Sequence, residues 1–174
     1  MSGDVHAVAR EAIVSDAAAI ARVHVVSWQT AYRGIMPQEL LDGLSIAKRT
    51  EEWTPRLGTP DRNNWVLEVD GVVQGWASIG PSRDSHLKNA IELYGIYLAP
   101  EFWSKGLGQL LYNKAEEAMS LSGSIEACLW VLEKNLRARR FYERTGYKHD
   151  GSTKNALGEG LALPELRYRK ILKD

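Results

Sequence analysis

Residues 91–132 hold the pattern that most restricts the fold of this chain. The run IELYGIYL at 91–98 reads as a strand ending at Ala99-Pro100. A short loop with Lys105, Gly106 and Gly108 follows, and a helical pattern begins at once. Leu107, Leu110, Leu111, Ala115 and Ala118 recur on one face of that helix, the spacing of a helix packed on a sheet. Gly123 ends it, and 125–132 reads as another apolar strand. Strand, helix, strand is a βαβ unit, whose two strands run parallel with a right-handed crossover. Its glycine loop lies at the C-terminal end of the first strand, where open α/β sheets bind ligands. A helix start after such a loop offers backbone N–H groups and a positive dipole end to a phosphate.

The rest of the chain frames this unit. Ala7 to Ile13 suits a first strand, with Ser15-Asp16 at the start of a helix running towards Trp28. Ile20, Val23 and Trp28 contribute to its apolar face. Pro37 starts a short helix, PQELLDGL, and another spans about 46–53. Asp70-Gly71 between Trp65–Val69 and Val72–Ile79 is a hairpin signal. Asn135 to Thr145 reads as a helix, Tyr147 opens a strand, and GSTKNALGEGLAL reads as loose chain before a last strand near Glu165–Ile171. With 174 residues and no repeat or linker, 1–174 is expected to be a single mixed α/β domain.

Charge excludes some functions. Lysines and arginines number 22, as do aspartates and glutamates, so no general pull towards nucleic acid or an anionic membrane is expected. The first residues contain Asp4 and lack an apolar h-region, and no apolar run approaches membrane-spanning length. A cytoplasmic location follows as the expectation. The single cysteine, Cys128, lies in an apolar run and reads as an inert buried thiol. No His, Cys or Asp cluster has metal-ligand spacing.

Three types of glycine loop bind phosphate in this position. A Walker A loop needs Lys-Ser/Thr after its last glycine, and Leu107 follows Gly106 here. A dinucleotide fingerprint needs a third glycine where Leu111 stands. The third type is the acyl-CoA pyrophosphate loop, and a second segment supports it. Residues 135–147 read NLRARRFYERTGY. With the first stretch, this resembles the GNAT superfamily of acyl-CoA-dependent N-acyltransferases. That family's loop, Gln/Arg-x-x-Gly-x-Gly/Ala, is matched by Trp103 to Gly108, apart from Trp103 itself. Its later motif is matched by Asn135, Ala138, Phe141, Tyr142, Gly146 and Tyr147. The N-terminal SWQTAYRGIMPQELLDGL also looks like a subgroup that acetylates polyamines and other small molecules.

The resemblance implies a GNAT fold: a mostly antiparallel sheet with a central, splayed parallel strand pair, flanked by helices. It implies acetyl-CoA as cosubstrate, with no metal. Ile96, Tyr97 and Leu98 would line the pantetheine, and Ser104, Lys105, Gly106, Leu107, Gly108 and Gln109 would wrap the pyrophosphate. Asn135 would hold the cofactor or cap its helix. Arg137, Arg139 and Arg140 are candidates for the 3′-phosphate or for a solvated helix face. Trp103 would pack beneath the loop.

Amine acylation needs a deprotonated amine, a polarised thioester carbonyl and a proton for the leaving thiolate. The family places a tyrosine beside the CoA sulfur, here Tyr142. An ordinary tyrosine titrates at about 10 and a thiol at about 8.5, so a proton can be shared between them. Glu92, fourteen residues before Gly106, stands where histone-acetylating members carry a general base. The alternative is a carboxylate facing solvent at the strand start. Glu133 is the other nearby carboxylate, and Trp130 occupies the position of a glutamate in some peptide-acetylating relatives. Trp28, Tyr32, Arg33, Tyr97 and the 150–162 loop are candidates for the acceptor side, and His24 for a packed or rim histidine. The expected reaction is acetyl transfer to a primary amine of a small molecule, by direct transfer in a ternary complex. The alternatives are a protein or peptide acceptor, or an acyl-CoA-binding sensor without activity. A homodimer is left open.

Overall fold

The computed structural model describes residues 6–60, 62–156 and 162–172. Seven strands form one sheet: β1 (Ala7–Glu11), β2 (Asn63–Val69), β3 (Val72–Pro81), β4 (Ile91–Leu98), β5 (Glu126–Leu132), β6 (Lys148–Asn155) and β7 (Pro164–Ile171). Their spatial order is β1-β2-β3-β4-β5-β7-β6. Only β4 and β5 run parallel; the remaining neighbours are antiparallel. The helices are α1 (Ala17–Ala31), α2 (Gln38–Asp42), α3 (Ile46–Leu57), α4 (Leu107–Leu121) and α5 (Leu136–Arg144).

The Asp70-Gly71 hairpin forms as the sequence predicts, with φ of 51° and 79° at its two central residues. Asn135 caps α5, its Oδ1 accepting from the Ala138 N–H at 3.2 Å. In α4 the buried positions are Leu111, Tyr112, Ala115 and Met119, and Leu110 faces out. The face is therefore rotated slightly from the leucine stripe, because Tyr112 and Met119 fill the volume over the sheet. α3 runs on to Leu57, past the expected end at Trp53 and through Pro55. Buried Trp53 anchors this helix.

One expectation was wrong. The first part of GSTKNALGEGLAL is not loose chain: residues 151–155 belong to β6, paired with β7 through Thr153, Lys154 and Asn155. The strand is exposed along nearly its whole length, so it lacks the apolar alternation that marks a half-buried strand.

Both faces of the sheet are covered. On one lie α4 and α5, over a core with Leu67, Ile79, Leu93, Leu129, Tyr147 and Tyr168. On the other, α1 and α3 close over Ile20, Val66, Trp53 and Trp76. No helix among the described residues is long and apolar enough to cross a membrane.

Candidate active site

The site originates in an incomplete strand pair. β4 and β5 are matched only at Ile91–Ala127 and Glu92–Cys128. Beyond Glu92 they part. Against β3, the register of β4 slips between Ser78–Gly95 and Ile79–Leu93, leaving Tyr94 as the extra residue of a bulge. A bulge bends and twists its strand. β5 meanwhile stays paired to β7 along its whole length, from Glu126–Ile171 to Leu132–Glu165. Among the described residues, the backbone of Leu93–Leu98 therefore has no ladder partner on the β5 side. Unpaired strand edges inside a fold need a ligand or water to satisfy them.

A cleft of about 610 Å³ occupies this gap, within the range of small-molecule sites. It brings together Trp28, Tyr32, Glu92, Ile96, Tyr97, Leu98, Ser104, Gly106, Gly108, Gln109, Asn135 and Tyr142. The side chains of Lys105 and Leu107 do not line it: the Lys105 ammonium lies over Phe102, and Leu107 packs against the core. Arg33 is exposed and outside it. Of the 150–162 loop, Lys154 and Ala156 line the cleft, and 157–161 lie outside the described residues.

At one end the 103–108 loop turns back on itself. Ser104 and Gly106 both take left-handed φ, 59° and 78°, a conformation natural to glycine and strained for serine. As a result the N–H groups of Lys105, Gly106, Leu107 and Gly108 make no hydrogen bond among the described residues. Together with the α4 N-terminus they form an anion-binding surface. Trp103 supports the loop as expected: its indole N–H donates to the Leu98 carbonyl at 2.8 Å, and its ring packs on the main core. The Arg137 guanidinium lies over that ring, 3.5 Å from its centre. Arg139 is occupied elsewhere, donating to the Tyr168 hydroxyl and the Glu133 carbonyl.

At the middle of the cleft stands Tyr142, only 8% exposed. Its hydroxyl has no hydrogen-bond partner among the described residues. Burial, with Tyr97 and Tyr112 nearby, pushes it well above the ordinary tyrosine value, while Arg137 pulls the other way. It is therefore protonated and free to donate into the cleft.

Glu92 is not a solvent-facing residue. It is 1% exposed, and Arg83 holds both its oxygens. The Arg83 backbone N–H donates to Oε2 at 2.8 Å, and its Nη2 and Nε donate to Oε1 at 2.6 and 3.2 Å. Arg83 also lies over the Tyr94 ring.

The acceptor side is aromatic. The Tyr32 and Tyr97 hydroxyls are hydrogen-bonded at 2.6 Å, and Trp28 packs edge-on against Tyr32. Behind them, His24 stacks parallel to Tyr97, and its Nδ1 accepts from the Trp53 indole N–H at 3.2 Å. Burial, with Arg49 and Arg56 nearby, pushes His24 down to about 3, so the imidazole is neutral. It is a packed histidine. Gly95 makes this wall compact: a Cβ there would lie 2.9 Å from the Tyr97 ring and 3.0 Å from Trp76.

Sequence reasoning missed Arg83, Trp130 and Glu165 as cleft residues, and Trp76 and Gly95 as the packing behind Tyr97. Glu165 alternates with buried Leu166 and Tyr168 in an ordinary strand pattern. Such alternation looks the same whether the polar face meets water or a cleft. Cys128 is fully buried, and burial pushes its thiol up to about 11, as suits an inert side chain. No group of three or more metal-ligating side chains occurs among the described residues.

Comparison with known proteins agrees with this geometry. The profile of the acetyltransferase (GNAT) family matches residues 25–147. An uncharacterized N-acetyltransferase of Bacillus subtilis, YuaI, is 35% identical over 127 residues, 72% of each chain. The spermidine N(1)-acetyltransferase of Thermoplasma acidophilum is 27% identical over 139 residues, 80% of this chain and 86% of the relative. The crystal structure of PaiA N-acetyltransferase from Thermoplasma acidophilum in complex with coenzyme A has the same fold, with a TM-score of 0.77 over 95% of this chain and 99% of that one, at 22% identity. The chain thus belongs to the GNAT family and is an acyl-CoA-dependent acetyltransferase.

Proposed function

We propose that this protein moves the acetyl group of acetyl-CoA to a primary amine of a small molecule, by direct transfer in a ternary complex. The observation that carries this reading is the continuity of the cleft. It runs from the free N–H groups at residues 105–108, past the Tyr142 hydroxyl, to the aromatic wall at Tyr32 and Tyr97. One end takes a phosphate-bearing chain and the other an acceptor, with the edge of β4 that lacks a β5 partner between them.

The residues present fit acetyl-CoA. The loop N–H groups and the α4 N-terminus hold the pyrophosphate, and Gly106 and Gly108 allow close backbone approach. The backbone groups of Ile96 to Leu98 left free on the β5 side bond the pantetheine amides, as a further strand would, apart from the Leu98 carbonyl held by Trp103. Asn135 presents its amide NH₂ to the cleft while its carbonyl oxygen caps α5. Acetyl-CoA supplies the thioester whose acyl carbon the amine attacks.

Tyr142 is the acid. A thiol is ordinarily the stronger acid, at about 8.5 against about 10, so complete transfer from tyrosine to thiolate is uphill. A hydroxyl held protonated still stabilises the developing sulfur charge by hydrogen bonding, and passes its proton on as the amine nitrogen sheds one. Glu92 is the base, acting through water in the cleft that it and Arg83 line, with Arg83 bound to both of its oxygens.

A small-molecule acceptor is supported by the enclosure of the wall and by the spermidine-acetylating relative. Acetyl-CoA at a hundred times its Kd should stabilise the fold by about 2.7 kcal/mol, a shift of roughly 5–10 °C at this size. Thiol release from acetyl-CoA against an amine panel tests transfer. Absence of both signals sinks the reading; a thermal shift without thiol release leaves a binding module.

A further inference from the structure

Two carboxylates among the described residues face the cleft, and they differ in what already satisfies them. Both oxygens of Glu92 accept hydrogen bonds from Arg83. Glu165 has one partner among the described residues, Lys154, whose Nζ lies 3.7 Å away, too far for a full hydrogen bond. The same ammonium lies 4.1 Å from the centre of the Trp130 ring, so that charge is shared with an aromatic face.

The position of Glu165 follows from register. It pairs with Leu132 at the end of β5 and with Lys154 on β6. Leu166 packs into the core beneath α4, so the Glu165 side chain lies on the opposite face of the sheet. Leu132 and Tyr32 cluster on that face, with Tyr97 packed against them. Glu165 lines the cleft there and is mostly buried, its side chain 21% exposed. The groups that act on it are Lys154 from β6, Arg83 from the β3–β4 connection and Glu92 from β4; Tyr32 and Tyr97 lie within its field. Lys154 and Arg83 together outweigh Glu92 by one positive charge, but Arg83 is bound to Glu92 itself, and the nearby Arg167 is neutralised by Asp84 and Asp150. A mostly buried carboxylate held by one long contact is expensive to retain in a stable fold. A ligand that brings a donor relieves it.

We infer that Glu165 is the anchor for the acceptor's ammonium group, so that the acceptors of this enzyme are cationic alkyl amines rather than neutral arylamines. The ammonium meets a carboxylate with unused lone pairs and lies against the faces of Trp28, Tyr32 and Tyr97, which attract a cation. Glu165 thus selects and positions the acceptor, while Tyr142 and Glu92 act on the transfer. This inference rests on the amine-acetyltransferase reading and extends it to substrate class.

Benzylamine, which is cationic at neutral pH, and aniline, which is neutral, separate charge recognition from ring packing. Wild type should bind benzylamine more tightly than aniline, read by tryptophan fluorescence and, under turnover, by KM. Glu165→Gln should raise the benzylamine Kd and KM by about 10–100-fold, the loss of one charge-assisted hydrogen bond. It should leave the aniline values and the acetyl-CoA KM within about twofold. Glu165→Asp, which keeps the charge, should recover part of the loss. Burial raises the proton affinity of Glu165, so the neutral Gln variant should melt no lower than wild type at neutral pH. Equal losses for both amines, an unchanged benzylamine Kd, or a wild type without preference between them overturns the inference. Fluorescence binding decides it even if no acetyl transfer is seen, which separates its failure from failure of the proposed function.

Discussion

Arg83 encloses Glu92, donating through its backbone N–H and two guanidinium nitrogens to the two oxygens of a carboxylate that is 1% exposed. The pair sits where β4 and β5 make their last ladder contact before parting. It ties the β3–β4 connection to the point where the strands begin to splay. The carboxylate proposed as the base is thus also part of the frame.

Replacing Glu92 by Gln should therefore do two things. Arg83 is 59% exposed at its side chain, so solvent recovers much of the lost ion pair, and the destabilisation should be about 1–2 kcal/mol. Differential scanning fluorimetry should show a fall of roughly 2–8 °C. If Glu92 is the base, the pH–rate profile of the purified variant should also move to higher pH. An unaltered profile in a folded variant removes Glu92 from the chemistry and leaves it as frame alone.

Tyr142→Phe should separate chemistry from binding and from stability. The hydroxyl has no protein partner to lose among the described residues, so Tm should stay within about 2 °C. The thermal shift given by CoA should also persist. Loss of a general acid should lower kcat by about 10²–10⁴-fold. A variant that turns over at the wild-type rate would exclude Tyr142 as the proton donor.

Gly95→Ala should disturb the acceptor wall and spare the phosphate end. The new methyl would fall within about 3 Å of the Tyr97 and Trp76 rings, closer than packed carbon atoms come, and overpacking of this kind costs about 1–3 kcal/mol. KM for the amine should rise several-fold with displacement of Tyr97, and the acetyl-CoA KM should hold. Equal changes in both constants would place the effect in global stability instead.

His24 should make the fold sensitive to acid. In the folded protein its imidazole titrates at about 3, against about 6.5 for an unperturbed imidazole. Between those values the unfolded chain binds a proton that the folded chain does not. Stability is thus fully present above pH of about 6.5 and drains away as pH falls towards 3. His24→Gln can still accept from the Trp53 indole and carries no charge. Melting curves from neutral pH to about pH 4.5 should fall several degrees less steeply for the variant. Parallel curves would show that His24 is not the group responsible.

The sequence alone carried the elements whose signals are local. The 91–98 strand, the glycine loop, the start of α4 and the Asn135 cap are written in residues adjacent in the chain, as are the motif positions of Tyr142 and Gly106. The βαβ pattern also determined that β4 and β5 are parallel neighbours. What tertiary structure alone decided lies in contacts between distant segments. Arg83 reaches Glu92 across a loop that reads as merely polar. Glu165 becomes a cleft residue only because β7 inserts between β5 and β6, turning its polar face inward. The two-residue limit of the β4–β5 ladder follows from a bulge at Tyr94 that no residue type announces. Periodicity records which side chains share a face; only packing decides whether that face meets solvent, a neighbouring helix or a substrate.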